Sequence, residues 1–566
     1  MEYIQSTLLG TESAFSGTPL DWHSIDWRRV HRNVMSTQNR IVKFCREGNW
    51  RKVKALQRSL SRSFSGKALA VRRVTENQGK RTPGVDGVIW DSASAKWHAI
   101  SQLTKRGYKP RPLRRVFIPK PNGKKRPLGI PTMLDRAMQA LHLLALEPIA
   151  ETLGDPNSYG FRQNRSTADA MSQLFVSLST KASAQWILEA DIKGCFDNIN
   201  HQWLIEHIPM DKLILQRWLK AGIVFNGRFS RSEAGTPQGG IISPCLANLA
   251  LDGLESQLKI YLGMIFGKTR ASKLKVNVVR YADDFVITGA SKELLEMTIK
   301  PWVIQFLAVR GLELSQEKTR ITCIDTGFDF LGWNFRKYSG TLLIKPNKKN
   351  AQAFFKKVVG VIKANMAVKQ EVLIHLLNPI LIGWARYHCP VVAKQTYSKL
   401  DYLIYQRLWR WASRRHPKKS SQWVYARYWH RVNDRWVFAD LHKSTDSTES
   451  GKTLYQLADT AIKRHVKIKG LYNPFDPEWE SYGEKRRNDR LMLNIRHIRK
   501  TVNLWHEQEG LCALCHSPLT EQSGWHVHHL IYRSRGGPDT QDNLVLLHPN
   551  CHVQVHSKGL YVSKMD

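Results

Sequence analysis

The stretch VVRYADDFVITGA, residues 278 to 290, places two adjacent carboxylates, Asp283 and Asp284, between two apolar runs rich in β-branched residues. Side chains alternate faces along a strand, so neighbouring aspartates cannot both point one way unless a tight turn intervenes. The pattern predicts a β-hairpin whose tip carries the acids. Upstream, WILEADIKGCFDNI ends a second apolar strand on Asp191, five residues before Phe196. A strand-end carboxylate brought beside the hairpin tip makes a three-acid cluster. Clustered carboxylates repel and resist ionisation unless cations occupy the site, and oxygen ligands with open water positions suit Mg²⁺. Two such ions can activate a 3′-hydroxyl and stabilise a pyrophosphate leaving group during in-line phosphoryl transfer. The bland alternative is an exposed Asp-Asp turn.

The rest of the composition narrows the setting. With 566 residues the chain is too long for one core, and three or four domains are expected. A hydrophobic fraction of 42% fills ordinary cores. Lys and Arg total 86 against 47 Asp and Glu, a net charge of +39, and self-repulsion on that scale is tolerable mainly beside a polyanion. Nucleic acid is the obvious one. An anionic membrane would instead favour a lipid signal beside a basic amphipathic helix; no lipid signal is present, and the basic helical stretch at the start is read as a face for RNA. The opening MEYIQSTLLGTESAFSG lacks the pattern of a secretory signal, and no run of about 18 apolar residues occurs, so a cytoplasmic protein is expected.

Along the chain, residues 1 to about 80 read as basic, amphipathic helix. Between 81 and 135 Gly and Pro thicken, and RRVFIP and RPLGIP read as two short strands joined by the basic turn KPNGKK. From about 136 to 335 helical stretches alternate with short strands, the mark of an α/β or α+β domain. From about 350 to 450 the chain reads as helical, basic and rich in Trp and Tyr, which offers stacking surfaces and phosphate contacts for structured or single-stranded nucleic acid. Arg407, Arg410, Arg414, Arg415, Lys418 and Lys419 are the charges that packing leaves unexplained. LHKSTDSTESGKT, 441 to 453, reads as an exposed loop or linker, and 473 to 490 as a second boundary. No internal repeat is evident.

Five of the eight cysteines are scattered, while Cys512, Cys515 and Cys551 sit among histidines near the end. CALC and HPNC supply Cys512, Cys515, His548 and Cys551 in two pairs, the arrangement of a structural tetrahedral Zn²⁺ site. HVHHL and HPNCHVQVH hold more histidines than that ion can use, so a second metal site is expected.

RPLRRVFIPKPNGKKRPLGIPT, SYGFRQNRSTADA, EADIKGCFDNI, GTPQGGIISPCLANLALDGLE, RYADDFVI, LELSQEKTRI and FDFLGWNF follow one another along the chain. In that order they resemble the motifs of a reverse transcriptase. With the helical tail and the Cys/His module, the whole resembles a bacterial group II intron-encoded protein, a family combining reverse transcriptase, RNA maturase and often DNA endonuclease. The resemblance implies a multidomain α+β chain. Its expected parts are an N-terminal RNA-binding extension at 1–80, right-hand polymerase fingers and palm at 81–345 and a helical thumb and maturase domain at 346–445. A DNA-binding region at 446–499 and a ββα-metal HNH nuclease with its zinc site at 500–566 would follow.

By the same resemblance Asp191 and Asp283 are the principal Mg²⁺ ligands, with Asp284 in the cluster and Tyr281 near the primer end. Phe196 matches the bulky residue that crowds the sugar 2′ position, Lys120 and Arg126 match finger residues on the incoming triphosphate, and Gln238 lies against template or nucleotide. In the nuclease, His529 is the implied general base, His528, His552 and His556 hold one divalent ion, and Asn543 orients the base. The implied partners are the intron RNA, double-stranded target DNA and dNTPs, with no membrane. The implied function is to assist splicing, nick the target strand and reverse transcribe the intron from that nick. The alternatives are a splicing-only maturase and a reverse transcriptase of defence or diversification.

Overall fold

The computed structural model describes residues 21–119, 123, 125–236, 239–432, 434–443, 449–495, 499–520, 523–532 and 535–564. Lys120 and Gln238 lie outside the described residues. The chain forms two compact units. One comprises Met1–Thr152, Ile205–Leu246 and Asn473–Asp566, and the other Leu153–Leu204 and Ala247–Tyr472.

The first unit opens, as the periodicity predicts, with helices Trp27–Arg46, Trp50–Arg62 and Phe64–Glu76. Each begins where a short polar side chain takes a backbone N–H: Asp26 from Arg29, Asn49 from Lys52 and Ser63 from Gly66. Val34, Ile41, Val53, Leu56 and Leu60 bury against Leu144, Ala145 and Ile149 of the helix Met133–Leu153. Arg28, Arg29, Arg32 and Arg40 fall on the exposed side. The two strands expected around the basic turn pair antiparallel as Leu113–Pro119 and Lys125–Ile130, and Ile223–Phe225 and Arg228–Ser230 extend that sheet.

In the second unit the acid-bearing strands form a four-stranded antiparallel sheet. Its order is Val278–Tyr281, Asp284–Gly289, Trp186–Asp191 and Arg320–Cys323. Leu188, Val279, Phe285, Val286 and Ile287 are buried, so the β-branched runs do what their composition requires. The turn between the two hairpin strands is braced from beneath. Arg280, 2% exposed, donates to Asp252 Oδ1 at 2.5 Å, to Asn248 Oδ1 at 3.1 Å and to the Ala282 carbonyl at 3.4 Å. Ala282 takes a left-handed φ of 59°, a strain of about 1–2 kcal/mol. Gly160 packs against it so closely that a Cβ there would stand 2.3 Å from the Ala282 nitrogen.

Beyond the sheet, strands Phe328–Phe330, Trp333–Tyr338 and Thr341–Pro346 form a meander. Helices Lys348–Ala364, Gln370–His388, Lys394–Arg415 and Ser421–Tyr428 follow. The helical reading of 350 to 450 ends there, because Trp429–Val432, Arg435–Lys443 and Glu449–Thr453 form a three-stranded antiparallel sheet. Part of the stretch read as a linker is therefore strand, with Asp440 opposite Lys452. Apolar and polar residues are mixed there without strict alternation, so the local pattern does not separate the two periods, and the pairing partner decides. No described helix is long and apolar enough to cross a membrane.

Removing the brace beneath the acidic turn leaves the Asp252 carboxylate without its buried guanidinium. Arg280→Ala is expected to lower stability by about 3–5 kcal/mol in urea denaturation. Arg280→Lys should recover only part, since an ammonium cannot span both acceptors.

Candidate active site and metal centres

The strand register brings the acids together. Asp191 lies directly opposite Asp284, which in turn pairs with Tyr281 across the hairpin, and Asp283 occupies the turn between them. The Lys318 ammonium donates to Asp191 Oδ2 at 2.8 Å. Loss of hydration, a hydrogen bond with Asp191 and the Asp283 charge push the Asp284 carboxyl up to about 7, although its outer edge stays exposed to solvent. Asp191 chiefly, with the charges of Asp284 and Asp283, holds the Lys318 ammonium above its ordinary value. Two carboxylates that resist sharing a site, arrayed at strand ends with an open side, fit divalent cations with oxygen ligands.

Phe196 sits just beyond Asp191, half-buried, edge-on to Phe161 at 6.0 Å with an interplanar angle of 80°. Phe161 is 57% exposed and held at φ 61°. Its position was not legible in SYGFRQ, because only the fold sets it beside Phe196. Lys318 likewise lies inside LELSQEKTRI, yet nothing local marks it as a partner of Asp191. Arg126 is exposed on its strand opposite Ile118.

In the terminal module the four ligand atoms of Cys512, Cys515, His548 and Cys551 lie within 4.8 Å of one another, and all four residues are buried. His548 Nδ1 faces Cys515 Sγ at 3.3 Å, and its Nε2 lies 3.2 Å from the Pro518 carbonyl. A ring proton on Nε2 leaves the Nδ1 lone pair for a metal. Hydrogen bonds from Cys512 and Cys551 hold the Cys515 thiol below its ordinary value, so the cluster favours a thiolate. The donor set fits a tetrahedral ion. A second group, His528, His552 and His556, also converges within 4.8 Å. Burial and the neighbouring imidazoles push His552 down to about 4, which keeps it neutral and able to ligate.

His529 ends its strand beside this group, with Nε2 3.3 Å from Asp539 Oδ1. Asp539 is the residue that sequence reasoning missed. Asn543 bonds to the loop that follows His529. Its Oδ1 accepts from the Ile531 N–H at 2.7 Å, and its Nδ2 donates to the Ile531 and Pro538 carbonyls at 3.0 and 2.8 Å. It pins the loop that leaves His529 and so acts on that side chain through the backbone. Gly537 admits this packing, since a Cβ there would lie 1.9 Å from the Ile531 carbonyl oxygen.

Of the basic residues on the helical face, Arg410, Arg414, Lys418 and Lys419 are exposed, and Lys419 lies 5.4 Å from the Trp423 ring. Arg407 is half-buried, 5.9 Å from Phe355. Arg415 departs from its expected role. Its guanidinium caps the Met366 and Val368 carbonyls at 2.7 and 2.9 Å and stacks on Trp411 at 4.6 Å, so packing accounts for its charge. Tyr425 stacks on Trp429 at 5.7 Å, and Trp436, 56% exposed, leans on Tyr425 at 5.1 Å.

Four family models match in order. They are the N-terminal domain of reverse transcriptase at 22–103, reverse transcriptase (RNA-dependent DNA polymerase) at 118–335, the group II intron maturase-specific domain at 351–429 and HNH endonuclease at 512–558. Protein YkfC of Escherichia coli K12 is 32% identical over 302 residues, covering 47% of this chain and 78% of that protein. The group II intron-encoded protein LtrA of Lactococcus lactis is 34% identical over 337 residues, 48% of this chain and 55% of LtrA. This chain thus spans about half the length of LtrA. A telomerase structure from Candida albicans aligns over 56% of this chain and 64% of that one at 11% identity, with a TM-score of 0.32. An acid-tipped palm sheet under a matching polymerase model defines a reverse transcriptase. With the maturase and HNH domains on the same chain, the protein belongs to the group II intron-encoded proteins, as the order of its motifs led one to expect.

The Asp284 shift has a pH signature. The folded chain keeps until about 7 a proton that the unfolded chain releases near 4. Between those values the folded state binds more protons, so its stability falls as pH rises. With EDTA present, the urea midpoint should fall across this window, and Asp284→Asn should flatten the fall. An equally steep fall in the variant would place the titration elsewhere.

Proposed function

We propose that the chain works as a mobility protein of its intron. It would bind the intron RNA and assist splicing, nick one strand of double-stranded target DNA and extend the new 3′ end with dNTPs on the intron RNA. The pairing of Asp191 with Asp284 beside Asp283, in a chain that also holds maturase and HNH domains, carries this reading.

In the polymerase, Asp191 and Asp283 would hold Mg²⁺, with Asp284 completing the acidic cluster. When bound, such ions lower the pKa of a 3′-hydroxyl and neutralise charge on the leaving pyrophosphate. The chain's own part is placement. Tyr281 would lie along the primer end, and Phe196 with Phe161 would set an aromatic wall at the sugar 2′ position. Arg126, with Lys120, would grip the triphosphate, and Gln238 the template or nucleotide. Lys318 offsets charge on Asp191.

In the terminal module, Cys512, Cys515, His548 and Cys551 suit structural Zn²⁺, while His528, His552 and His556 would hold a divalent ion at the scissile phosphate. His529, set by Asp539 and by the loop that Asn543 pins, would take the proton from water. Intron RNA would lie on the exposed Arg410, Arg414, Lys418 and Lys419, with Arg407 at their edge and Trp436 available for base stacking.

Primer extension on an RNA template tests the polymerase. Asp283→Ala should abolish dNTP incorporation and leave splicing of the intron RNA at the wild-type rate, because the acids take no part in folding RNA. Loss of both in a well-folded variant would refute that separation. For the nuclease, His529→Ala should slow nicking by about 10²–10⁴-fold while extension of a supplied primer continues. Undiminished nicking would remove His529 as the base.

A further inference from the structure

The helix Pro549–Lys558 has two working sides. His552 and His556 converge with His528 on one. Asn550, Gln554 and Lys558 recur four apart on another, offset from the histidine row by two residues, about 200° around an α-helix. In a nuclease module standing alone, that second row would face water. Here Asn550 and Gln554 are 8% and 5% exposed.

What covers them is the segment ahead of the first long helix. The Trp22 indole donates to Asn550 Oδ1 at 2.6 Å. The Gln554 amide donates to the carbonyls of His23 at 2.6 Å and Ile25 at 3.0 Å, and Lys558 pairs with Asp21 at 2.9 Å. Trp22 rests edge-on against Trp27 at 4.9 Å, and Arg72 lies over the Trp27 ring at 4.7 Å while bonded to Glu76 at 3.1 Å. The segment ahead of the first long helix therefore meets the metal-binding module through directed hydrogen bonds and one ion pair.

Amides buried in this way are not left to open and close freely, since each opening would exchange directed bonds for none until water enters. A nuclease on a loose tether would reach many phosphates, whereas one gripped from behind reaches few. Resting on the nuclease reading above, we propose that Asp21–Ile25 is a positioning clamp. It grips the metal-bearing helix on the side away from His552 and His556 and fixes which phosphate of the DNA the His529 site cuts. Trp22 and Gln554 are its positioning residues, with Asn550 as the acceptor.

Gln554→Glu tests the clamp, because it keeps the side chain's size but sets a carboxylate against two carbonyl oxygens. Trp22→Phe is the second variant, keeping an aromatic ring beside Trp27 but losing the indole donor and the second ring. Each would be studied as the full chain bound to its intron RNA, on an end-labelled duplex carrying the sequence that flanks the intron. Hydrogen exchange would be followed in peptides from 21–35 and 545–560. Unchanged zinc content and an unchanged cobalt–thiolate spectrum would show that the module still folds.

The wild type is expected to give one sharp nick. Gln554→Glu should scatter the nicks over several phosphates, cut the rate at the main one by tenfold or more and speed exchange in both peptides, with Trp22→Phe a few-fold affected. Extension of a supplied primer should be unchanged. Unaltered exchange in Gln554→Glu would overturn the clamp. Faster exchange with the same nick at the same rate would overturn its positioning role. Absence of nicking by the wild type would instead overturn the nuclease reading, and the exchange contrast would still decide the clamp.

Discussion

Like charge held close together organises this protein. Three acids gather where two strand ends meet a tight turn, and the unfavourable proximity of Asp191 and Asp284 is imposed by backbone pairing that neither side chain can escape. Sheet register is insensitive to the charge at a strand's end when the rest of the strand is buried, as the pair Leu188 and Ile287 is, three residues further in. The core thus supplies the energy that keeps the acids side by side. Arg280 beneath the turn holds the left-handed Ala282 in place, so the strained peptide and the repelling carboxylates share one support.

The terminal module meets a related problem with different means. Its apolar core, with Leu504, Trp505, Leu519, Leu544, Leu546 and Val555, is set around the buried Cys/His cluster. Four buried soft donors within 4.8 Å stabilise the module when they share an ion, since folding and binding are then one process. The neighbouring histidine trio lies on the module's accessible side, where His556 is exposed and His552 half-buried. The first cluster is closed within the module and the second opens toward solvent.

Much of this was readable from residue order. The acidic hairpin, the strand ending on Asp191, the basic hairpin and the two Cys/His pairs all follow from short-range periodicity and spacing. What escaped reading depends on partners distant in the chain. Asp539 and Phe161 acquire meaning only when folding brings them to His529 and Phe196, and Lys318 stands 127 residues from Asp191. Arg415 misled because a basic residue at a helix end looks like a surface charge until the carbonyls it caps are known. The strands from Trp429 to Thr453 were hidden because their apolar residues do not alternate strictly, and only pairing such as Asp440 with Lys452 decides them.

The interleaving of the two compact units bears on how the chain is made. Emerging from the ribosome, residues up to Thr152 cannot complete their unit, because Ile205–Leu246 and Asn473–Asp566 are still missing. The unit that holds the acids is finished first, once Tyr472 has been synthesised, while the one that begins at the N-terminus is finished last. Domains usually mature in the order they are translated. Here that order is reversed: the earliest helices can settle at once on Met133–Leu153, but the sheet begun by Leu113–Pro119 waits for Ile223–Phe225, and Trp22 waits for Asn550.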